Sequence, residues 1–275
     1  MEQVYGKDDA DMLKVLNYND LQATLKDLDT SRPDFTELHP DLKGVNPDDY
    51  FSDVPYEKGA SFLRMLEQHF GRRKFDAYLK GYFTRYAFRS MTTEAFLVDL
   101  RQYLLHNDGD LEKSLKIHEW LYGTGLPDNV VVPSSPVFAV VDGQIADFTG
   151  GADPKTLATA DYTTQQWQYF LTHLPDDLTV DQMTALDSAF AFSKTHNSEV
   201  LFDWLVLAVK HHYLPAMPAL HDFLASQGRM KFCVPLYQQL MLQPVWGADM
   251  ARKIYAEARP GYHELTRARV DAVVK

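Results

Sequence analysis

From residue 153 onward, apolar residues recur at three- and four-residue spacing in one short segment after another. That spacing places them on one face of an α-helix. Helices are expected over 163–173, 180–189, 198–210, 214–227, 234–242, 247–258 and 263–274, with Asp177, Thr179, Asn197 and Pro218 marking starts or first turns. None of these segments buries its apolar face alone. Short connections leave a simple solution, paired antiparallel helices stacked as an α-solenoid. No strict repeat motif recurs, so this architecture rests on spacing.

The first 125 residues follow the same period with longer interruptions. Leu13, Leu16, Leu21, Leu25 and Leu28 mark a helical core within 1–28. A polar, Pro-containing connection covers 30–49, with a short extended piece expected at 35–38; loops of this length in compact domains are often functional. Further helices are expected from 54 to about 70, over 73–87, over 94–105 with Thr92 or Thr93 as cap, and over 114–122, stopped by Gly123, Gly125 and Pro127. Phe75, Tyr78, Leu79, Tyr82, Phe83 and Tyr86 form an aromatic stripe at helical spacing, which reads as core packing. Residues 130–151, VVVPSSPVFAVVDGQIADFTGG, are β-branched and Pro-broken and read as an extended linker with a short strand. The expected fold class is all-α: a helical lobe at 1–125, a linker at 126–152 and a second helical domain at 153–275.

Composition narrows the function. The net charge of −11 over 275 residues argues against nucleic acid or an anionic membrane as main partner. A single cysteine, Cys233, rules out an intrachain disulfide framework and fits a reducing compartment, so a cytoplasmic location is expected. No apolar run approaches the length that spans a bilayer. The N-terminal MEQVYGKDDADMLKVL is acidic and amphipathic, unlike a signal peptide. It reads as mid-helix, with Met12, Val15 and Leu16 on one face and no cap upstream, and so as a chain that begins inside a larger unit.

One stretch stands out for chemistry. Residues 46–59, NPDDYFSDVPYEKG, run from a turn-rich approach into a helix start. Asp53 is a good N-cap and Pro55 suits a first turn. Gly59, Phe62, Leu63, Leu66 and Phe70 form the expected buried face. A helix so anchored holds its first turn still and could present the Tyr56 phenol to a cleft as a donor for a developing oxyanion. Tyr56 as a core tyrosine, Glu57 and Lys58 as a solvated helix start, and Asp48 and Asp49 as turn acids are the plainer readings. A second cluster, QGRMK at 227–231, sets two cations beyond Gly228, a residue expected to end a helix. Arg229 and Lys231 admit two readings here: a site for an anion or carboxylate, or cations complementing a helix C-terminus.

Metal signatures are absent. Ten histidines include no His-Glu-x-x-His; the nearest run, His118-Glu119-Trp120-Leu121-Tyr122, has tyrosine in place of the second ligand. His211 and His212 are adjacent and lack a carboxylate four residues on. No Gly-rich phosphate loop, Gly-x-Ser-x-Gly elbow or Cys pair occurs.

The two clusters together carry a resemblance. VPYEKG, within FTELHPDLKGVNPDDYFSDVPYEKG, resembles the approach to the catalytic tyrosine of the M1 metallo-aminopeptidases, in the branch of leukotriene A4 hydrolase and aminopeptidase B. RYAFRSMTTEAFLVDL and HEWLYGTGLP are similar to the segments that follow it there, and HNSEVLFDWL and SQGRMKF to the C-terminal helical domain of that branch. The resemblance covers nearly the whole chain in order. It implies a partial thermolysin-like catalytic lobe followed by an armadillo-like α-solenoid, and zinc-dependent removal of N-terminal residues from peptides. By the same resemblance Tyr56 stabilises the tetrahedral intermediate, Asp48 faces the substrate cleft, and Arg229 and Lys231 receive a substrate carboxylate. Phe51 stands where the leukotriene enzyme has a second tyrosine, which argues against epoxide hydrolysis. The family's zinc ligands and its Gly-x-Met-Glu-Asn segment lie upstream of the matched region. The chain by itself is therefore expected to bind no zinc and to be inactive, and to self-associate through the face a missing lobe would cover. The alternative is a stand-alone α-solenoid module that binds a peptide or partner protein.

Overall fold

The computed structural model describes residues 2–46, 50, 52–243 and 245–275, and no strand occurs among them. The chain is all-α, in two compact units that divide between residues 134 and 135.

The N-terminal unit comprises α1 (Glu2–Tyr5), α2 (Lys7–Asp29), a 3-10 turn (Pro33–Thr36), α3 (Val54–Phe70), α4 (Arg72–Arg85), α5 (Thr93–Tyr103), α6 (Gly109–Ser114) and α7 (Ile117–Tyr122). Phe62, Met65 and Leu66 of α3 meet Phe75 and Tyr78 of α4, Leu97 and Leu100 of α5, and Trp120 of α7 in one core. Burying side chains of this size contributes roughly 1.5–3 kcal/mol each. The Trp120 indole N–H donates to Asn129 Oδ1 at 3.0 Å, so the largest core side chain leaves no polar atom unpaired. Leu21 and Leu25 of α2 pack against Val54, which seats the start of α3. Gly71 joins α3 to α4 at φ +79°, a conformation a side chain would strain. Thr92 caps α5 by accepting from the Ala95 N–H at 3.2 Å. Arg85 at the end of α4 makes a two-pronged bond to Asp99 of α5, 2.8 Å on each prong, with Asp99 fully buried.

Three local expectations for this unit are corrected. Phe35 and Thr36 do not extend but close the 3-10 turn, because Pro33 at its start presets the required φ, and Glu37 is extended as the turn ends. The helix expected over 114–122 is two, since Lys116 takes a left-handed φ of 54° between α6 and α7. The buried face of α3 is Val54, Lys58, Ser61, Phe62, Met65 and Leu66, while Gly59, Leu63 and Phe70 are only half-buried.

The C-terminal unit comprises α8 (Pro136–Thr149), α9 (Thr164–Thr172), α10 (Val180–Phe190), α11 (Ser198–Lys210), α12 (Met217–Ser226), α13 (Met230–Met241), α14 (Trp246–Ala258) and α15 (Glu264–Val273). Helices two apart in sequence pack together: α9 on α11, α11 on α13, α13 on α15, and α12 on α14. Two rows of alternate helices are what stacked helix pairs produce. Thr163 with Gln166 and Thr179 with Gln182 form reciprocal capping boxes, and Asn197 caps α11 through its side chain. The segment read as an extended linker is instead largely α8. Pro136 occupies its first turn, Phe138, Val141 and Phe148 bury on one face, and Phe138 stacks on Tyr169 of α9 at 4.0 Å. That packing outweighs the β-branched composition. α13 begins at Met230 rather than 234, and carries Pro235 within it. None of the described helices is long and apolar enough to cross a membrane.

Candidate functional site

The first turn of α3 is built from its backbone. The Asp53 carbonyl accepts from the Tyr56 N–H at 3.1 Å and the Glu57 N–H at 2.8 Å, with Pro55 between them. The Asp53 carboxylate caps nothing, because Asp53 itself takes a helical conformation that turns its side chain from the helix end. Tyr56 is 64% exposed, and its hydroxyl has no hydrogen-bond partner among the described residues. An exposed phenol thus projects from a helix whose opposite face is locked in the core.

Its two successors turn inward. Glu57 accepts from Asn17 Nδ2 of α2 at 3.0 Å, and burial raises its carboxyl above the usual range. Lys58 is fully buried. Its Nζ donates to the Thr36 carbonyl at 2.8 Å and to the Gly123 carbonyl at 2.7 Å. Burial pushes its amine down to about 8. The reading of Glu57 and Lys58 as a solvated helix start is therefore corrected. The signal was present in sequence: Val54, Lys58 and Phe62 are four apart, so Lys58 falls on the apolar stripe. A cleft of about 550 Å³ lies beside this turn, lined by Leu13 and Asn17 of α2 and by Glu57, Ala60 and Arg64 of α3. Burial lowers the Arg64 guanidinium from its ordinary value. Asn17 and Arg64 had no motif to announce them; only the crossing of α2 over α3 brings them here. Asp48, expected at the substrate cleft, and Phe51 lie outside the described residues.

Arg229 and Lys231 belong to the other unit. α12 stops at Ser226, and Arg229 stands at the N-cap position of α13, with Lys231 in its first turn. The reading of these cations as complements to a helix C-terminus is corrected: they sit at the positive end of α13, where the dipole disfavours them. Lys231 finds its counter-charge in Glu199 of α11 at 2.8 Å. Arg229 is exposed; its guanidinium lies 5.3 Å from the Phe232 ring centroid, and no carboxylate among the described residues pairs with it.

The histidines gather no metal site. His118 and Glu119 are both exposed, with His118 against the Tyr122 ring at 5.0 Å. Burial lowers His211, and His212 stacks on Trp246 at 4.4 Å. Among the described residues no three His, Cys, Asp or Glu side chains are placed to hold one ion.

Comparison with known proteins places these features. The peptidase family M1 domain profile matches residues 1–120, and the leukotriene A4 hydrolase C-terminal profile matches residues 162–274. Leucine aminopeptidase 2 of Ajellomyces capsulatus is 30% identical over 251 residues, covering 86% of this chain and 39% of that protein. Leucine aminopeptidase 2 of Neurospora crassa is also 30% identical, over 247 residues, with 86% and 36% covered. The structure of yeast leukotriene A4 hydrolase in complex with bestatin superposes with a TM-score of 0.84 at 24% identity, over all of this chain and 47% of that one. The chain thus spans less than half the length of these relatives. The M1 family is zinc-dependent, and the donor groups among the described residues do not fit a tetrahedral zinc site. With a catalytic-domain segment followed by this C-terminal domain, the chain belongs to the M1 peptidase family, in the branch of leukotriene A4 hydrolase.

Proposed function

We propose that this chain is the C-terminal part of an aminopeptidase that removes N-terminal residues from peptides, and that it supplies the oxyanion donor of that reaction. The observation that carries the reading is Tyr56: an exposed hydroxyl without a partner among the described residues, on the first turn of a helix fixed from behind. As a scissile carbonyl becomes tetrahedral, its oxygen gains charge, and an O–H held in place donates to it without reorganising. By the resemblance, Asp48 would face the substrate cleft, and Arg229 with Lys231 would receive the carboxylate of a short peptide. A reducing compartment such as the cytoplasm fits the lone, buried Cys233.

By itself the chain is expected not to turn over aminoacyl-arylamides, with or without added zinc. Activity that survives repurification and vanishes in Tyr56→Phe would overturn that. Fused behind the metal-binding segment of a related M1 aminopeptidase, the chain should support turnover. There Tyr56→Phe should lower kcat by about 10²–10³-fold with KM little changed; an unchanged kcat removes Tyr56 from the chemistry.

Arg229 favours a second reading, a stand-alone helical module that binds a peptide carboxylate, because this cation lacks a carboxylate partner among the described residues. Titration with short peptides should then weaken at least tenfold in the Arg229→Ala, Lys231→Ala double variant. Equal affinity would end that idea.

A further inference from the structure

The buried amine of Lys58 is not used by the chemistry above, yet it sits two residues from Tyr56. We propose that Lys58 is the positioning residue of this site: by bridging the carbonyls of Thr36 and Gly123 it fixes the first turn of α3 and so the direction in which Tyr56 points. The inference rests on the reading of Tyr56 as a functional donor, but its geometry stands independently.

Three segments meet at this amine. Thr36 closes the 3-10 turn, 22 residues before Lys58, and Gly123 ends α7, 65 residues after it. The Thr36 hydroxyl adds a second link by accepting from the Gly125 N–H at 2.8 Å. The His39 N–H donates to the Leu121 carbonyl at 2.9 Å, joining the same two strips of chain. Lys58 is the hydrogen-bonded link from this junction to α3, beside the apolar packing of Phe62 on Trp120. Among the described residues no carboxylate lies within ion-pair distance of its amine. Two carbonyls accept from the amine, and each would otherwise be left without this donor. The four-carbon stem passes through the apolar face of α3 between Val54 and Phe62, which an ordinary solvated lysine would avoid. Tyr56 and Lys58 are about 200° apart around the helix, so a lysine drawn inward sends the tyrosine outward.

The test is the order of Tyr56 in the folded chain, read without any turnover. Uniform 3-fluorotyrosine labelling gives a ¹⁹F resonance for Tyr56, assigned by its loss in Tyr56→Phe. In Lys58→Met, which keeps the apolar stem, that resonance should move to the position of a free tyrosine. Amide exchange at Tyr56 and Glu57 should quicken at least tenfold, while α5 stays protected. A residue that merely adds stability would lower the unfolding midpoint and leave the Tyr56 resonance in place. Gly123→Ala approaches the bridge from its far end. A Cβ there would lie 2.5 Å from the Glu119 carbonyl oxygen, so the Gly123 backbone must shift while Lys58 is untouched. The Tyr56 resonance should move the same way. If it is unmoved in either folded variant, Lys58 does not position Tyr56. Failure of the oxyanion reading would appear only in the fusion's kcat, so the two outcomes are separable.

Discussion

Arg85→Ala should destabilise the N-terminal unit by about 3–5 kcal/mol, the range for stripping one partner from a buried ion pair. Asp99 is fully buried, whereas the Arg85 side chain is 28% exposed. Removing the arginine therefore strands the costlier group. Both carboxylate oxygens lose a 2.8 Å partner at once. The guanidinium also lies 3.7 Å from the Tyr103 ring centroid, and alanine offers that ring no cation. Arg85→Lys should fall between, because an ammonium cannot span both oxygens. The chain has two compact units, so a single midpoint would mix them. Trp120 is the one tryptophan of the N-terminal unit, and a 5-fluorotryptophan label reports that unit separately in urea. A cost under about 1 kcal/mol would show that the pair behaves as a surface bridge.

The Lys58 amine predicts a rise of stability in the alkaline range, well above the pH of ordinary acid unfolding. Burial holds it at about 8 in the folded unit, against its ordinary value of 10.5. Between these values the unfolded chain binds the proton that the folded chain does not, so stability rises with pH. The contribution is fully present above about 10.5 and is lost as pH falls through about 8. Its size is about 3 kcal/mol. Glu37 is the charged neighbour acting on the amine, and it favours the protonated form, opposing the larger effect of burial. Other groups titrate in the same range, so the measurement is the difference in urea stability between wild type and Lys58→Met. That difference should grow by about 3 kcal/mol from pH 8 to 10.5. A difference that stays level across this range would mean the amine keeps its proton when folded.

Much of the fold could be read from spacing and caps. Ser198 to Lys210 and most of its neighbours follow from apolar periodicity, and Thr163, Thr179 and Asn197 announce their helices by their side chains. Spacing misleads where local composition and packing disagree. Five of the 14 residues of α8 are β-branched, yet the helix forms, with Phe138 stacked on Tyr169 from a distant part of the chain. Pro235 lies within α13 although proline ordinarily marks a first turn. At the site, Tyr56 was visible as a first-turn residue after proline. The partners of Glu57 and Lys58 were not, since Asn17, Thr36 and Gly123 are 40, 22 and 65 residues away.

The sequence alone determined the class of fold, because a chain with this apolar period must pair helices to bury them. It also determined that Tyr56 begins a helix, since Pro55 and the following apolar face leave few alternatives. Only the tertiary structure decided what surrounds those residues. It placed the Arg229 and Lys231 cations at the start of α13 rather than the end of α12, and it took Lys58 out of water to bridge two carbonyls. A hydrogen bond across 65 residues has no periodicity to betray it; its cost and its partners exist only once the chain has closed on itself.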